Sequence, residues 1–320
     1  MAKFDGVSFI IPSLNEEDNL PRLLYSIKKT MNDLNYEIII VDNGSKDRTQ
    51  DIAQEQATKL LVDQDATIGG LRNIGVSSAS YNILAFLDAD MSLDESWPTQ
   101  LQEAIKTWPD NGLIITGNSY LIPENASLVE KHWFSKLVNT NDNYINSGHL
   151  ITTIKMFNKI NGFNEDLRTA EDYDFCQRAK SQSGTVRKCK KLIAIHHGFP
   201  KTVFQFILRE AWHGREDFKS ISNLANSKTA LISLTYVGLL ITTFLTVLTS
   251  SNNYFALLPL GLMAIVTLVV TYIKFGESTS IKEFLTTSIF TQLYFLGRAL
   301  SPFVNATRPR ARDSHKAHST

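Results

Sequence analysis

The chain of 320 residues holds two cysteines, Cys176 and Cys189, and no CxxC pair. That rules out a disulfide framework and a cysteine-built zinc or redox site. An excess of charge of either sign is also missing, since 32 basic residues balance 32 acidic ones. A nucleic-acid binder would need a basic surplus to meet phosphates, so nucleic acid is excluded as a partner. Charge of any kind is missing from Thr229 to Ile273, 45 residues without Asp, Glu, Lys, Arg or His. The start, MAKFDGVSFI, lacks the basic region, uncharged apolar stretch and small-residue cleavage site of a secretory signal. The N-terminal part is therefore expected to stay in the cytoplasm, which suits the few cysteines.

A helix needs about 20 apolar residues to cross the hydrocarbon layer, so the uncharged stretch has room for two crossings and a turn. The polar run Ser250-Ser251-Asn252-Asn253 supplies the turn, which places helices at about 229–249 and 254–273. Lys228 and Lys274 bracket the pair and the linking loop has no basic residue, so both outer ends are expected on the cytoplasmic side. A third apolar stretch, Phe284 to Val304, is interrupted by Arg298. An arginine at mid-membrane costs about 2.5–3.5 kcal/mol on insertion scales. Ile281, Phe284, Leu285, Ile289, Leu293, Leu296 and Leu300 recur at helical spacing. They predict an interfacial amphipathic helix, with Arg308, Arg310 and Arg312 against anionic headgroups, and a third crossing as the alternative. The expected division is 1–227 cytoplasmic, 228–274 as two membrane helices, and 275–320 as an interfacial or third membrane helix with a basic tail.

The first 90 residues alternate strand and helix patterns. Strand-like runs are VSFII (Val7–Ile11), EIIIV (Glu37–Val41), LLV (Leu60–Val62) and NILAFL (Asn82–Leu87). Between them, Leu20, Leu23, Leu24 and Ile27 mark one helix, which Asn15-Glu16-Glu17 starts. Ser45 is expected to cap a second near Thr49–Gln56, and Gly69-Gly70 precede a third that carries Arg72 and Asn73. This order predicts an α/β fold with a mostly parallel sheet flanked by helices. Ligands of such sheets sit at the carboxyl ends of strands, where Pro12, Asp42, Asp88 and Asp90 lie. Residues i and i+2 of a strand point the same way, so Asp88 and Asp90 can reach one hard cation or its water shell, and Mg2+ prefers one or two carboxylates plus substrate phosphates.

The runs VSFIIPSLNEEDNL, EIIIVDNGSKDRTQDIA, GGLRNIGVSSAS and ILAFLDADMSLDESW together resemble the family 2 glycosyltransferases, whose fold is the GT-A type. Downstream, INSGHLITTIKMFNKINGFNEDLRTAEDYDFCQRAKSQSG resembles the acceptor half of that family. The resemblance covers about residues 5–215. It implies that Pro12, Leu14, Asn15 and Glu16 lie against the nucleoside, that Asp42 lies near the base, and that Arg72 lies near the nucleotide. It implies Asp88 at the ribose and metal region, Asp90 as principal metal ligand, and Gly148 lining the sugar pocket. Asp172 matches the general base, with Glu171 as its neighbour. A histidine after a late strand often completes the metal site in this family. His196 and His197 both qualify, with a leaning to His197. The implied cofactor is Mg2+ or Mn2+. Asn43 and Asn161 depart from the family pattern, where an aspartate and a glycine are usual. The segment QFILREAW (Gln205–Trp212) has the wrong spacing for the processive signature of the family, so polymer synthesis is not inferred.

The resemblance implies inverting transfer of a sugar from a UDP- or GDP-linked donor to a hydroxyl of a lipid-linked or glycolipid acceptor, at the inner face of the cell membrane, in envelope polysaccharide synthesis. Such a hydroxyl needs a base to take its proton. Thr169-Ala170-Glu171-Asp172 also has capping-box spacing, and a carboxylate in a first helical turn is held ionised by the helix dipole, an effect of about 0.3–1 kcal/mol that works against a strong base. Two other functions compete. A polyprenyl phosphate acceptor is already ionised and needs no base. A non-catalytic nucleotide-binding membrane subunit would need none of the carboxylates. Trp97 and Trp133 are expected to pack rather than to stack on ligands. Asn125-Ala126-Ser127 and Asn305-Ala306-Thr307 fit the glycosylation pattern but are expected to be silent in the cytoplasm.

Overall fold

The computed structural model describes residues 4–117, 121–137, 144–167, 169–249, 253–276 and 280–304. In chain order it begins with β1 (Val7–Ser13), α1 (Leu20–Thr30), β2 (Tyr36–Asp42), α2 (Thr49–Gln56), β3 (Lys59–Val62), α3 (Ile68–Ser77), β4 (Ile83–Leu87), β5 (Met91–Leu93), α4 (Trp97–Ile105) and β6 (Ile114–Gly117). A π-helical turn, Glu130–Phe134, runs into the single turn α5 (Ser135–Leu137). Next come β7 (His149–Thr153), α6 (Ile154–Lys159), α7 (Glu171–Ser181), β8 (Thr185–Lys188) and β9 (Ala194–His196). Five helices complete the described chain: α8 (Val203–His213), α9 (Ile221–Asn226), α10 (Lys228–Thr249), α11 (Leu257–Phe275) and α12 (Ile281–Ala299). Contacts divide the chain into two compact units, Met1–Pro123 with Asn141–Gly198, and Glu124–Thr140 with Phe199–Thr320. This division differs from the compositional boundary at 227/228.

The first unit is a seven-stranded sheet in the order β3-β2-β1-β4-β7-β6-β8. Pairs β1/β2, β2/β3, β1/β4 and β6/β8 are parallel, while β7 runs antiparallel to both β4 and β6. The mostly parallel α/β architecture expected from the sequence is therefore present. Strands β1 and β2 are buried on both faces, which is why they read as unbroken apolar runs. Val7, Phe9 and Ile11 face one core with Leu20, Leu23, Leu24 and Ile27 of α1 and Trp97 and Leu101 of α4. Ile10 faces the other core with Leu84, Phe86, Phe157, Phe163 and Phe175, under α6 and α7. After β3 the chain returns to the opposite side of β1 to form β4. That reversal opens a crevice at the carboxyl ends of β1 and β4, where ligands of such sheets bind.

Two expected helix starts differ from the structure. The first helix begins at Leu20, not at Asn15–Glu17, because Asn15 takes a left-handed φ of 52° and turns the chain instead. Helix α2 is capped at Arg48 without a side-chain bond, and Ser45 is engaged elsewhere.

In the second unit, Lys228–Thr249 and Tyr254–Phe275 are long and apolar enough to cross a membrane, with mean hydropathies of 2.1 and 2.3. Most of each helix is exposed, 11% and 28% of the apolar windows being buried. Ser250, Ser251 and Asn252 of the expected turn lie outside the described residues, as do Asn305–Thr307 and Arg308, Arg310 and Arg312. Helix α12 packs on α8, α10 and α11. It buries Thr287, Ser288, Phe290, Thr291, Tyr294 and Phe295. The Oγ1 atoms of Thr271 and Thr291 are hydrogen-bonded at 2.8 Å between α11 and α12. Of the apolar stripe, Ile281, Leu285, Ile289 and Leu300 face outward, away from the packed face of the helix. Arg298 is not left to snorkel. It is paired with Glu210 of α8 and with Asp217, both at 3.6 Å.

Trp97 shows what holds the first unit. Its ring is fully buried, lies 5.5 Å from Phe9, and its Nε1 donates to His149 Nε2 at 2.9 Å. Trp97→Ala should destabilise the unit by about 3–5 kcal/mol, read as a lowered denaturation midpoint of the detergent-solubilised chain.

Candidate active site

The loops after β1 and β2 are stitched together by side-chain to main-chain bonds. Asn15 N donates to Ser45 Oγ (2.8 Å), and Lys46 N donates to Asn15 Oδ1 (2.7 Å). Glu16 N donates to Thr49 Oγ1 (2.7 Å), and Arg48 N donates to Glu17 Oε2 (2.8 Å). Asp42 sits at the root of this zipper, fully buried. It accepts from Ser13 Oγ, Ser45 N, Ser45 Oγ and Gln50 Nε2. As placed, it shapes the loop rather than offering a free oxygen to a base. Asn43 donates Nδ2 to the carbonyls of Asp63 (2.7 Å) and Ala66 (3.3 Å). An aspartate has no hydrogen to donate there, so the departure from the family pattern serves this loop. Pro12 is buried within β1, opposite Val41, and Leu14 is exposed at the loop.

Arg72, expected near the nucleotide, is 2% exposed, with Nη2 donating to Asp88 Oδ1 (3.0 Å) and Nη1 to Glu171 Oε1 (2.9 Å). Its guanidinium lies 5.5 Å from the Phe163 ring centroid. Ser147 Oγ donates to the same Glu171 oxygen at 3.2 Å. Gly148 is buried, and its carbonyl accepts from Asp88 N at 3.1 Å. Neither Ser147 nor Phe163 was singled out in the sequence, because nothing local links them to Asp88.

Asp90 meets the end of β9. His196 Nε2 is 3.6 Å from Asp90 Oδ2, while His197 donates its main-chain N to Asp90 O (2.8 Å) and bonds Ser92 Oγ through Nε2 (2.8 Å). The imidazole facing the carboxylate is thus that of His196, against the leaning to His197. Alternation explains it, since β9 pairs with β5 and successive side chains face opposite ways. Gly198 is needed beside them, because a Cβ there would fall 1.8 Å from Asp90 Oδ2. One carboxylate oxygen and one imidazole nitrogen this close suit a divalent ion such as Mn2+. Among the described residues no three of His, Cys, Asp and Glu gather to enclose a metal. The pair therefore fits an ion that takes its remaining oxygens from a bound phosphate, as Mg2+ does.

The expected capping box before α7 is not formed. Its cap is Ala170 in a left-handed conformation (φ 61°), with no side-chain bond. Asp172 is buried, and burial, reinforced by the charge of Glu171, pushes its carboxyl up to about 6; the Tyr173 N–H and Arg72 pull the other way. Tyr144 and Tyr173 stand edge to face beside it, 5.9 Å between centroids. Asn161 also departs from the glycine usual in the family, and it too takes a left-handed φ, 58°, followed by Gly162 at 67°. Asparagine is the side chain that tolerates this best. A cleft of about 330 Å3 lined by Gln100, Glu103, Thr107, Arg187, Lys188 and Lys191 contains none of these carboxylates.

The family model described as Glycosyl transferase family 2 matches residues 8–164. Glycosyltransferase AglE of Haloferax volcanii is 32% identical over 135 residues, which is 39% of this chain and 43% of that protein. A dolichol-phosphate mannosyltransferase of Pyrococcus furiosus is 37% identical over 123 residues, 36% of this chain and 33% of that protein. The chain thus spans less than half the length of these relatives. Among solved structures, the mannosyltransferase PcManGT of Pyrobaculum calidifontis, in complex with GDP-Man and Mn2+, is similar with a TM-score of 0.57 at 16% identity, covering 93% of this chain and 86% of that one. This likeness establishes the fold.

Two outcomes follow from the site geometry. Gly198→Ala should turn the Asp90 carboxylate away and weaken Mn2+ binding in the presence of GDP or UDP, measured by calorimetry, with the far-ultraviolet circular dichroism unchanged. The second concerns Asp172, whose raised folded value costs stability once the group is ionised, above about pH 6, and costs nothing below the ordinary carboxylate range. Asp172→Asn should therefore stabilise the chain by about 2–3 kcal/mol above pH 7 and give no gain below pH 4, read from denaturation midpoints across that range.

Proposed function

This chain belongs, through its first unit, to glycosyl transferase family 2, and on that premise we propose that it is a membrane-anchored, inverting, metal-dependent transferase. It would move a sugar from a nucleoside diphosphate donor to a hydroxyl of a lipid-linked acceptor. The observation that carries this reading is Asp172, a buried carboxylate whose affinity for protons has been raised towards neutrality beside the cluster of Arg72, Asp88 and Glu171. A general base works best when its pKa lies near the working pH, and an acceptor hydroxyl is too weakly acidic to attack without one.

In this reading the loops after β1 and β2 wall the nucleoside, with Pro12, Leu14, Asn15, Glu16 and Asp42 contributing their backbone course as much as their side chains. Asp88 and Gly148 border the donor sugar. Asp90 and His196 would hold the divalent ion, which when bound neutralises the charge developing on the leaving diphosphate. Asp172 accepts the proton of the acceptor hydroxyl as that oxygen attacks the anomeric carbon from the side opposite the leaving group. The new bond forms as the old one breaks, and the configuration inverts. The GDP-Man and Mn2+ of the P. calidifontis neighbour make these the first donor and ion to try, with UDP-sugars next. Residues 1–227 would lie in the cytoplasm, with the two apolar helices of 228–274 crossing the membrane and α12 with the chain end lying at its inner face. Confinement to the bilayer raises the effective concentration of a lipid-linked acceptor.

The P. furiosus relative favours a second reading, transfer to a polyprenyl phosphate. One experiment separates the two. Detergent-solubilised protein is supplied with GDP-mannose or UDP-sugars, Mn2+ and membrane lipid extract, and lipid products are weighed by mass spectrometry. For a hydroxyl acceptor, Asp172→Asn should lower turnover at least 100-fold while donor binding stays, and wild-type turnover should fall away below about pH 6. Unchanged turnover in Asp172→Asn would establish the phosphate acceptor. No product from any donor, with nucleotide bound equally well without metal, would leave only a binding subunit.

A further inference from the structure

Arg72 is the most deeply buried charge of the first unit's central cluster, and the mechanism above assigns it no step. It sits on α3, one turn from the Gly69-Gly70 pair, and neither of its partners is near it in sequence. Asp88 follows β4 on the donor side, and Glu171 opens α7 on the acceptor side. The side chain is 2% exposed, so it cannot reach a ligand without leaving both carboxylates. Its third nitrogen, Nε, is buried without a hydrogen-bond partner. Phe163 lies against the guanidinium and restricts its movement. A guanidinium offers a fixed planar fork of donors and stays charged at any pH a protein survives, so it holds two carboxylates at a set distance and orientation. A lysine ammonium, a single rotatable point charge, does not.

We infer that Arg72 is a positioning residue that yokes the donor-side carboxylate Asp88 to the acceptor-side pair Glu171 and Asp172. It fixes the distance between the two halves of the site instead of binding the nucleotide. This deepens the reading of Asp172 as the base and rests on it for its catalytic meaning, though not for its geometry. The groups that face Asp172 are Glu171 and Arg72, the phenol of Tyr144 and the thiol of Cys176, with the main-chain N–H groups of Tyr173 and Ser147 donating to it. Glu171 pushes the Asp172 carboxyl up and Arg72 pulls it down. Neutral replacements at the two ends of one ion pair therefore act on Asp172 in opposite directions. A side chain that merely fills space would move it the same way in both cases or in neither.

The test labels aspartate carboxyl carbons with 13C in the full-length protein in detergent micelles and assigns Asp172 by its loss in Asp172→Asn. The titration of Asp172 is then followed in wild type, Arg72→Met, Arg72→Lys and Glu171→Gln, without substrate. Arg72→Met should raise its midpoint by about one pH unit, and Glu171→Gln should lower it by about as much. Arg72→Lys should bring the midpoint back towards wild type. It should still raise the Kd for GDP or UDP with Mn2+, because one ammonium cannot span both carboxylates. Midpoints that stay put, or that shift the same way in Arg72→Met and Glu171→Gln, overturn the inference. So does a Kd in Arg72→Lys equal to wild type. If Arg72→Met does not fold, the opposite shifts are sought between Arg72→Gln and Glu171→Gln. If neither Arg72→Met nor Arg72→Gln folds, the Glu171→Gln shift and the Arg72→Lys affinity decide. The reading of Asp172 as base is judged separately, in preparations that turn over: an acid limb of the rate that ignores the measured midpoint sinks that reading and leaves the yoke intact.

Discussion

Strand β7 runs antiparallel beside β4, and that one pairing brings the two halves of the site together. It sets His149 opposite Leu87, so the Gly148 carbonyl receives the Asp88 N–H at the point where β4 gives way to the acidic loop. Ser147, one residue earlier, reaches Glu171 at the head of α7. A sheet built only from parallel crossovers would place these segments at successive strand ends. The antiparallel insertion sets Ser147 and Gly148 directly against Glu171 and Asp88. Arg72 then closes the gap from below, and the burial that results raises the proton affinity of Asp172. Electrostatics here follow topology: the shift exists because α7 begins inside the domain, where its first-turn carboxylate loses water and stands beside Glu171, which outweighs the pull of the Tyr173 N–H and Arg72.

The second unit follows a different logic. Its long helices carry leucine, isoleucine, valine and phenylalanine on the outside and meet each other through threonine, serine and aromatic side chains. Helices immersed in lipid gain nothing by hiding leucine from a surround that is itself apolar. They associate through small residues and hydrogen bonds between helices. The Thr271–Thr291 bond and the packing of Trp133 against Phe206, Phe275 and Tyr294 fit that pattern. Lys274 sits over the rings of Trp133 and Tyr294, 4.4 Å from each centroid, a cation held by aromatic faces at the end of the second apolar helix.

Much of the fold was legible because its signals are local. The unbroken apolar runs of β1, β2 and β4 placed those strands within two residues of where they lie, and the spacing of Leu20, Leu23, Leu24 and Ile27 found the buried face of α1 though not its start. The family motifs brought Asp88, Asp90, Glu171 and Asp172 into view, and the structure gathers Asp88 and Glu171 around one arginine. What sequence could not give was partner choice across space. Ser45 has the chemistry of a helix cap, yet Asp42 and Asn15 take its hydroxyl. Thr169 has the spacing of a capping box, yet Ala170 turns the chain too sharply for it. The two carboxylate partners of Arg72 could not be read from the sequence, because they are 16 and 99 residues away. On α12 the hydrophobic stripe read from the sequence faces outward at Ile281, Leu285, Ile289 and Leu300, while Thr287, Phe290, Thr291, Tyr294 and Phe295, which the stripe does not include, pack inward. Between His196 and His197 only strand register decides, and register is a property of the paired strand, not of the dipeptide.

The zipper between the loops after β1 and β2 has a consequence for how this architecture diversifies. Asn15, Ser45, Glu17 and Asn43 commit their polar groups to backbone partners on neighbouring segments, so the wall of the cleft is assembled before anything enters it. A guest meeting a rigid wall loses its own freedom but imposes little ordering on the host. Discrimination between one guest and another would then have to be written in the few side chains that project from the frame, among them Leu14, 39% exposed. Exchanging such a projecting side chain can retune preference without disturbing the scaffold, whereas altering the stitching would cost the frame itself.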